Sequence, residues 1–189
     1  MTADRFSDSL ARGFTLLELV VAMTIAGMLL MLGMPSFTTF LRNSEIRSTA
    51  ESISNGLRAA RSEATRLNLP VSFTLAGSGD ASWSINVFNP VAGTVVQPPI
   101  QQYSRFEVGK SSKVINTPVA AASITFNGLG RIVSPSPIAT PNLQQIDVSS
   151  IVAGEARTLR IYADDVHGIR MCDPDPAIKA LTPPDARAC

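Results

Sequence analysis

The sequence predicts an α+β protein: one long N-terminal helix, part transmembrane and part amphipathic, packed on an antiparallel, β-rich C-terminal domain. Three observations predict it. Residues 14–41 hold 28 positions and a single charge, Glu18. Apolar residues then recur at steps of four and three from Ile46 to Leu67. Beyond Pro70 the chain breaks into short strand-like runs separated by Gly, Pro, Ser and Asn.

The apolar block comes first. At about 1.5 Å of rise per residue, about 20 residues cross the hydrocarbon core of a bilayer, so 14–41 is long enough to be a transmembrane helix. The block follows a short polar leader, residues 1–13, in which Asp4 and Asp8 balance Arg5 and Arg12. A secretory signal has the opposite order, with its cleavage site after the apolar run. Glu18 is the anomaly. A carboxylate within a membrane helix costs about 2.5–3.5 kcal/mol on insertion scales and marks function by default. Four positions upstream, a newly exposed α-amino group would be mostly protonated and would give it a partner.

The helical pattern continues past the membrane. Ile46, Ala50, Ile53, Leu57, Ala60, Ala64 and Leu67 form one stripe, and Arg47, Glu51, Arg58, Arg61, Glu63 and Arg66 lie mostly off it. The stripe predicts an amphipathic continuation over 42–68 that packs on the protein's own sheet. Asn68 and Pro70 end it. The arginines at 42, 47, 58, 61 and 66 read as a solvated face rather than a phosphate-binding strip.

Strands are expected at 71–75, 82–88, 100–108, 123–126, 131–133, 144–149 and 156–163, with turns at Gly77-Ser78-Gly79-Asp80 and Asn127-Gly128-Leu129-Gly130. In the last strand Leu159 and Ile161 share one face, and Arg160 and Tyr162 the other.

The stretch Arg12-Gly13-Phe14-Thr15-Leu16-Leu17-Glu18-Leu19-Val20-Val21-Ala22-Met23 resembles the class III signal of type IV pilins and type II secretion pseudopilins. The resemblance implies that prepilin peptidase cuts between Gly13 and Phe14 and N-methylates Phe14. It makes Glu18 the assembly acid and Pro35 the helix-kinking proline. The strand rhythm, residues 124–131 and the Arg160-Ile161-Tyr162 stretch leading to Gly168 resemble the GspH/FimT domain, which implies a pilin-like fold. The implied organisation is a leader at 1–13, a transmembrane assembly segment at 14–41, an amphipathic continuation at 42–68, a β domain at 69–170 and a tail at 171–189. The implied place is the inner membrane, single-pass, with a cytoplasmic N-terminus and a periplasmic C-terminal domain, and later the fibre.

Cys172 and Cys189 lie in a Pro-rich tail. Two cysteines in an exported segment predict a disulfide, and a Cys-Asp-Pro with a terminal Cys resembles FimT/FimU-type minor pilins. H-type secretion pseudopilins usually lack it.

Little chemistry is expected. One His and two Cys leave no zinc cluster and no Cys-His pair. His167 beside Asp164 and Asp165 does not make a metal site, and no phosphate loop or dinucleotide fingerprint occurs. Neither catalysis nor a cofactor or metal is expected. The expected partners are prepilin peptidase, other pilins or pseudopilins through the N-terminal helix, and the inner-membrane assembly platform.

Three roles follow: a minor type IV pilin that joins or primes a fibre, a type II secretion pseudopilin of the H type, and a DNA-binding minor pilin in natural transformation. For the last, the resemblance implies a C-terminal Gly-Arg-x-Arg, whereas Gly168-Ile169-Arg170-Met171 keeps one Arg. Arg160, Arg170 and Arg187 are the candidate DNA contacts. Residues 155–189 hold five basic and six acidic side chains, so DNA is not the favoured partner.

Overall fold

The computed structural model describes residues 14–77, 79–104, 111–134, 136–138, 141–152, 156–181 and 185–189. The leader, Gly13 and Ser78 lie outside them, as does most of the strand end expected at 104–108. The chain divides into two compact units, one ending at Thr38 and one running from Thr39 to Cys189.

Helix α1 (Leu16–Leu67) is 52 residues long. Thr15 caps it: its Oγ1 accepts the Glu18 N–H at 3.2 Å and its carbonyl accepts the Leu19 N–H at 3.2 Å. Thr15-x-x-Glu18 is the sequence form of a capping box. Among the described residues no single helix is long and apolar enough by itself to cross a membrane. The stretches Leu16–Met31 and Ser36–Leu67, taken together across a bend, pass by length and composition. At the other end Asn68 takes φ 52° and the Leu69 N–H returns to the Ala64 carbonyl at 3.3 Å. Asn tolerates this left-handed position better than most residues.

In the second unit nine strands form two antiparallel sheets among the described residues. Strands β1 (Val71–Gly77), β2 (Asp80–Asn89), β3 (Thr94–Val95), β4 (Gln101–Tyr103) and β6 (Ser123–Phe126) make the first, in order β3-β2-β1-β6 with β4 also on β2. Strands β5 (Ser112–Thr117), β7 (Gln145–Ser150), β8 (Leu159–Asp164) and β9 (Gly168–Cys172) make the second, in order β5-β7-β8-β9. A short helix, α2 (Pro176–Lys179), lies in the tail.

The helical stripe is the spine of one core. Ile46, Ala50, Ile53, Leu57, Ala60 and Ala64 are buried against Phe73, Ile85, Ile124, Phe126, Ile146 and Ile161, and Leu67 is half-buried. Small residues in the stripe let the sheets approach the helix. At Gly56 a Cβ would stand 2.9 Å from Phe73 Cε2 and 3.0 Å from the Trp83 ring, below the contact distance carbon atoms tolerate.

Several expectations need correction. Residues 131–133 do not form a strand; Ile132 makes one isolated bridge to Phe126. Of the strand expected at 100–108, the described residues form a strand at Gln101–Tyr103. β3, β5, β9 and α2 were not anticipated. β9 runs through Cys172, so the sheet crosses the boundary expected between 170 and 171.

Candidate functional site

Two regions hold the expected site residues. At the N-terminus, Phe14 is 82% exposed and Glu18 sits in the first turn of α1, also exposed. Leu16, Leu17, Leu19, Val20, Val21 and Met23 around them are about half exposed or more. An apolar helix with no hydrophilic face is suited to lipid or to other helices, not to water. The cap on Thr15 fixes the start of the helix three residues before Glu18 and one residue after Phe14.

The second region is the outer face of the β8–β9 hairpin and the tail. The disulfide joins Cys172 and Cys189, with Cα atoms 5.2 Å apart. The backbone supports the same closure: the Asp173 N–H donates to the Arg187 carbonyl at 2.7 Å, and the Cys189 N–H donates to the Asp173 carbonyl at 3.0 Å. Arg157 ties the tail to α1. Its guanidinium meets the buried Asp173 carboxylate at 2.9 Å, and its N–H donates to Asn43 Oδ1 at 3.0 Å.

The three candidate DNA arginines are not equivalent. Arg160 and Arg170 do share a face, because Arg160 neighbours Tyr162 along β8 and Arg170 pairs with Tyr162 across the hairpin. But Arg160 forks onto Asp147 of β7, Nε to Oδ1 at 2.8 Å and Nη2 to Oδ2 at 3.0 Å. That pairing raises its pKa further, against the opposing effect of partial burial. Arg187 is turned onto Asp185, whose pKa falls to about 2 chiefly because the Arg187 side chain hydrogen-bonds it. Arg170 lies over the Tyr162 ring, Cζ 5.9 Å from the centroid, and His167 stacks on the same ring at 4.5 Å. Two of the three charges are therefore met by carboxylates within the chain.

Asp164 serves the β8–β9 turn. Its Oδ1 accepts the Val166 N–H at 3.0 Å, and its carboxylate also takes the N–H and ring Nδ1 of His167. Partial burial pushes its pKa up, but these donors outweigh that and hold it below the usual range. Among the described residues no cluster of His, Cys, Asp and Glu could hold a metal ion.

A capped helix, apolar on all sides at its start, whose later stripe is buried in an antiparallel α+β domain, makes a pilin-like fold. Residues 8–34 match the prokaryotic N-terminal methylation motif, which marks a prepilin-type N-terminal anchor in the inner membrane. Residues 49–164 match the family described as type II transport protein GspH, and the chain belongs to that family. The fold is that of the type IV minor pilin FimU of Pseudomonas aeruginosa strain PAO1. One crystal form is 19% identical with a TM-score of 0.51, over 73% of this chain and 94% of that one. A second form is 20% identical with a TM-score of 0.48, over 68% of this chain and 92% of that one. No curated protein sequence matches significantly.

Proposed function

We propose that the chain is a minor type IV pilin: a non-enzymatic structural subunit that inserts in the inner membrane and joins or primes a pilus fibre. Prepilin peptidase cuts between Gly13 and Phe14 and methylates Phe14. The segment 14–41 then spans the membrane once, with the C-terminal domain periplasmic, and passes from the assembly platform into the fibre through contacts with other pilins. The observation that carries this reading is the junction of the methylation motif at 8–34 to the GspH domain at 49–164. The exposed apolar surface of α1 and the position of Glu18 four residues after Phe14 support it. Within a dry helix bundle the carboxylate and a neighbour's α-amino group would attract strongly enough to set axial register. The disulfide-closed tail favours a pilus over a secretion pseudopilus. The family description keeps the type II secretion pseudopilin as the second reading.

Glu18→Ala tests the role of the assembly acid. The chain should stay in the membrane with its C-terminal domain folded, while its recovery in sheared fibres falls about tenfold or more. Undiminished recovery would remove Glu18 from assembly.

A further inference from the structure

Many arginines of the second unit are engaged within the chain, Arg170 with the Tyr162 ring and five others with carboxylates. Arg47, Arg66, Arg157, Arg160 and Arg187 each close on a carboxylate. Among the described residues Arg58, Arg61 and Arg131 form no such pair, and Arg61 shares one depression with Arg58 and the adjoining one with Arg131. Arg58 and Arg61 are one turn apart on α1 and line a depression of about 410 Å³ with Thr65 and Ile169. Arg61 and Ile169 also line the adjoining depression of about 510 Å³, together with Arg131.

The loop after β6 is built to present Arg131 there. Asn127 Oδ1 accepts the N–H groups of Leu129 and Arg131, both at 3.0 Å. The Asn127 N–H donates to the Arg131 carbonyl at 2.8 Å, closing the loop. Gly130 adopts φ +71°, and a Cβ on it would stand 3.1 Å from Thr65 Cγ2 and 3.3 Å from Arg61 Nε. The loop therefore seats directly on the helix at Arg61, and a glycine is what the conformation and the contact both require.

Three exposed arginines with no carboxylate partner among the described residues, set along two adjoining depressions, suit an oxyanion, since each guanidinium offers a planar fork that fits a carboxylate or phosphate. The rim decides between them. Asp164 and Asp165 line the same depression as Arg61 and Arg131, and Asp165 is exposed. A duplex carries a negative charge at every step and would meet both aspartates. A protein surface can set one carboxylate against the arginines and a cation against Asp165.

We infer that the groove between α1 and the 127–131 loop is a docking site for a carboxylate-bearing segment of a neighbouring fibre subunit, received by Arg58, Arg61 and Arg131. The inference rests on the fibre-subunit reading above. Its test places a photo-crosslinking benzoylphenylalanine at Ser62, on the groove wall, in the full chain expressed in piliated cells. The adduct should map to a peptide of another fibre subunit that contains Asp or Glu. Arg61→Gln with Arg131→Gln should lower its yield about tenfold, with the melt of the chain, followed by Trp83 fluorescence, unchanged. Arg61→Lys with Arg131→Lys, which keep the charge, should restore part of the yield.

Three outcomes overturn the site while leaving the fibre reading intact, provided the chain is still recovered in sheared fibres. These are an undiminished adduct in the Gln variant, an adduct on a peptide without a carboxylate, and an Arg61- and Arg131-dependent affinity of the detergent-solubilised chain for duplex DNA at physiological salt. Absence of the chain from fibres overturns the fibre reading and this inference with it.

Discussion

Arg160 of β8 and Asp147 of β7 stand directly opposite each other across the sheet and share two hydrogen bonds, at 2.8 and 3.0 Å. An opposed pair of this kind joins strands, and a bidentate fork is its strongest form. Arg160 thus has a structural role inside the chain, which removes one of three charges from the C-terminal face.

The first prediction follows. A double-mutant cycle of Arg160→Ala and Asp147→Ala should show a coupling of about 1 kcal/mol in the stability of the detergent-solubilised chain. Duplex DNA binding by the same material should stay in the non-specific range, about 10⁻⁴–10⁻⁶ M, and fade steeply with salt. Sub-micromolar binding at physiological salt, abolished by Arg160→Ala together with Arg170→Ala, would make DNA capture the primary function instead.

Gly56 sets two effects against each other. Alanine in a helix interior is favoured over glycine by about 1 kcal/mol. Here the added methyl enters the space of Phe73 and Trp83, and overpacking a closed core costs about 1–3 kcal/mol. Trp83 cannot retreat freely, because its Nε1 donates to Ser52 Oγ at 3.2 Å and its ring stacks on Tyr103 at 5.7 Å. Gly56→Ala should therefore lower the melting temperature, read by the fluorescence of Trp83, the single tryptophan. A higher melting temperature would show that the aromatic pair yields.

Reduction of the disulfide gives the third prediction. The bond closes a separation of 17 residues, worth about 3 kcal/mol in the chain-entropy model. The tail has little apolar content of its own, and the Asp173 and Cys189 backbone bonds lie beside the closure. Dithiothreitol, or Cys172→Ser with Cys189→Ser, should lower the melting temperature and expose 173–189 to proteolysis. An unchanged melt with a resistant tail would show that the Arg157–Asp173 pair and the backbone bonds suffice alone.

The helix was legible in the sequence because one residue in every three or four along 46–67 is apolar and buried. β1 and β2 were legible for the matching reason at period two. β5 was not, and its residues show why. Its buried positions are Ser112, Val114 and Asn116, while Ile115 points outward at 37% exposure. The polarity pattern is partly inverted, so alternation carries no signal. β9 is a short edge strand that borrows its order from β8. The candidate arginines could be counted in the sequence but not paired, because Asp147 lies 13 positions from Arg160. The placing of Arg61 between Arg58 and Arg131 on adjoining depressions is likewise a product of the fold, with the 127–131 turn as its local sign.

The central claim is that this chain is a processed fibre subunit, and its mature N-terminus within the fibre tests it most directly. Fibres sheared from cells and analysed by peptide mass spectrometry should contain the chain, beginning at N-methylated Phe14 and carrying the Cys172–Cys189 bond. A fibre fraction without the chain, or a mature chain that begins at any other residue, would contradict the account.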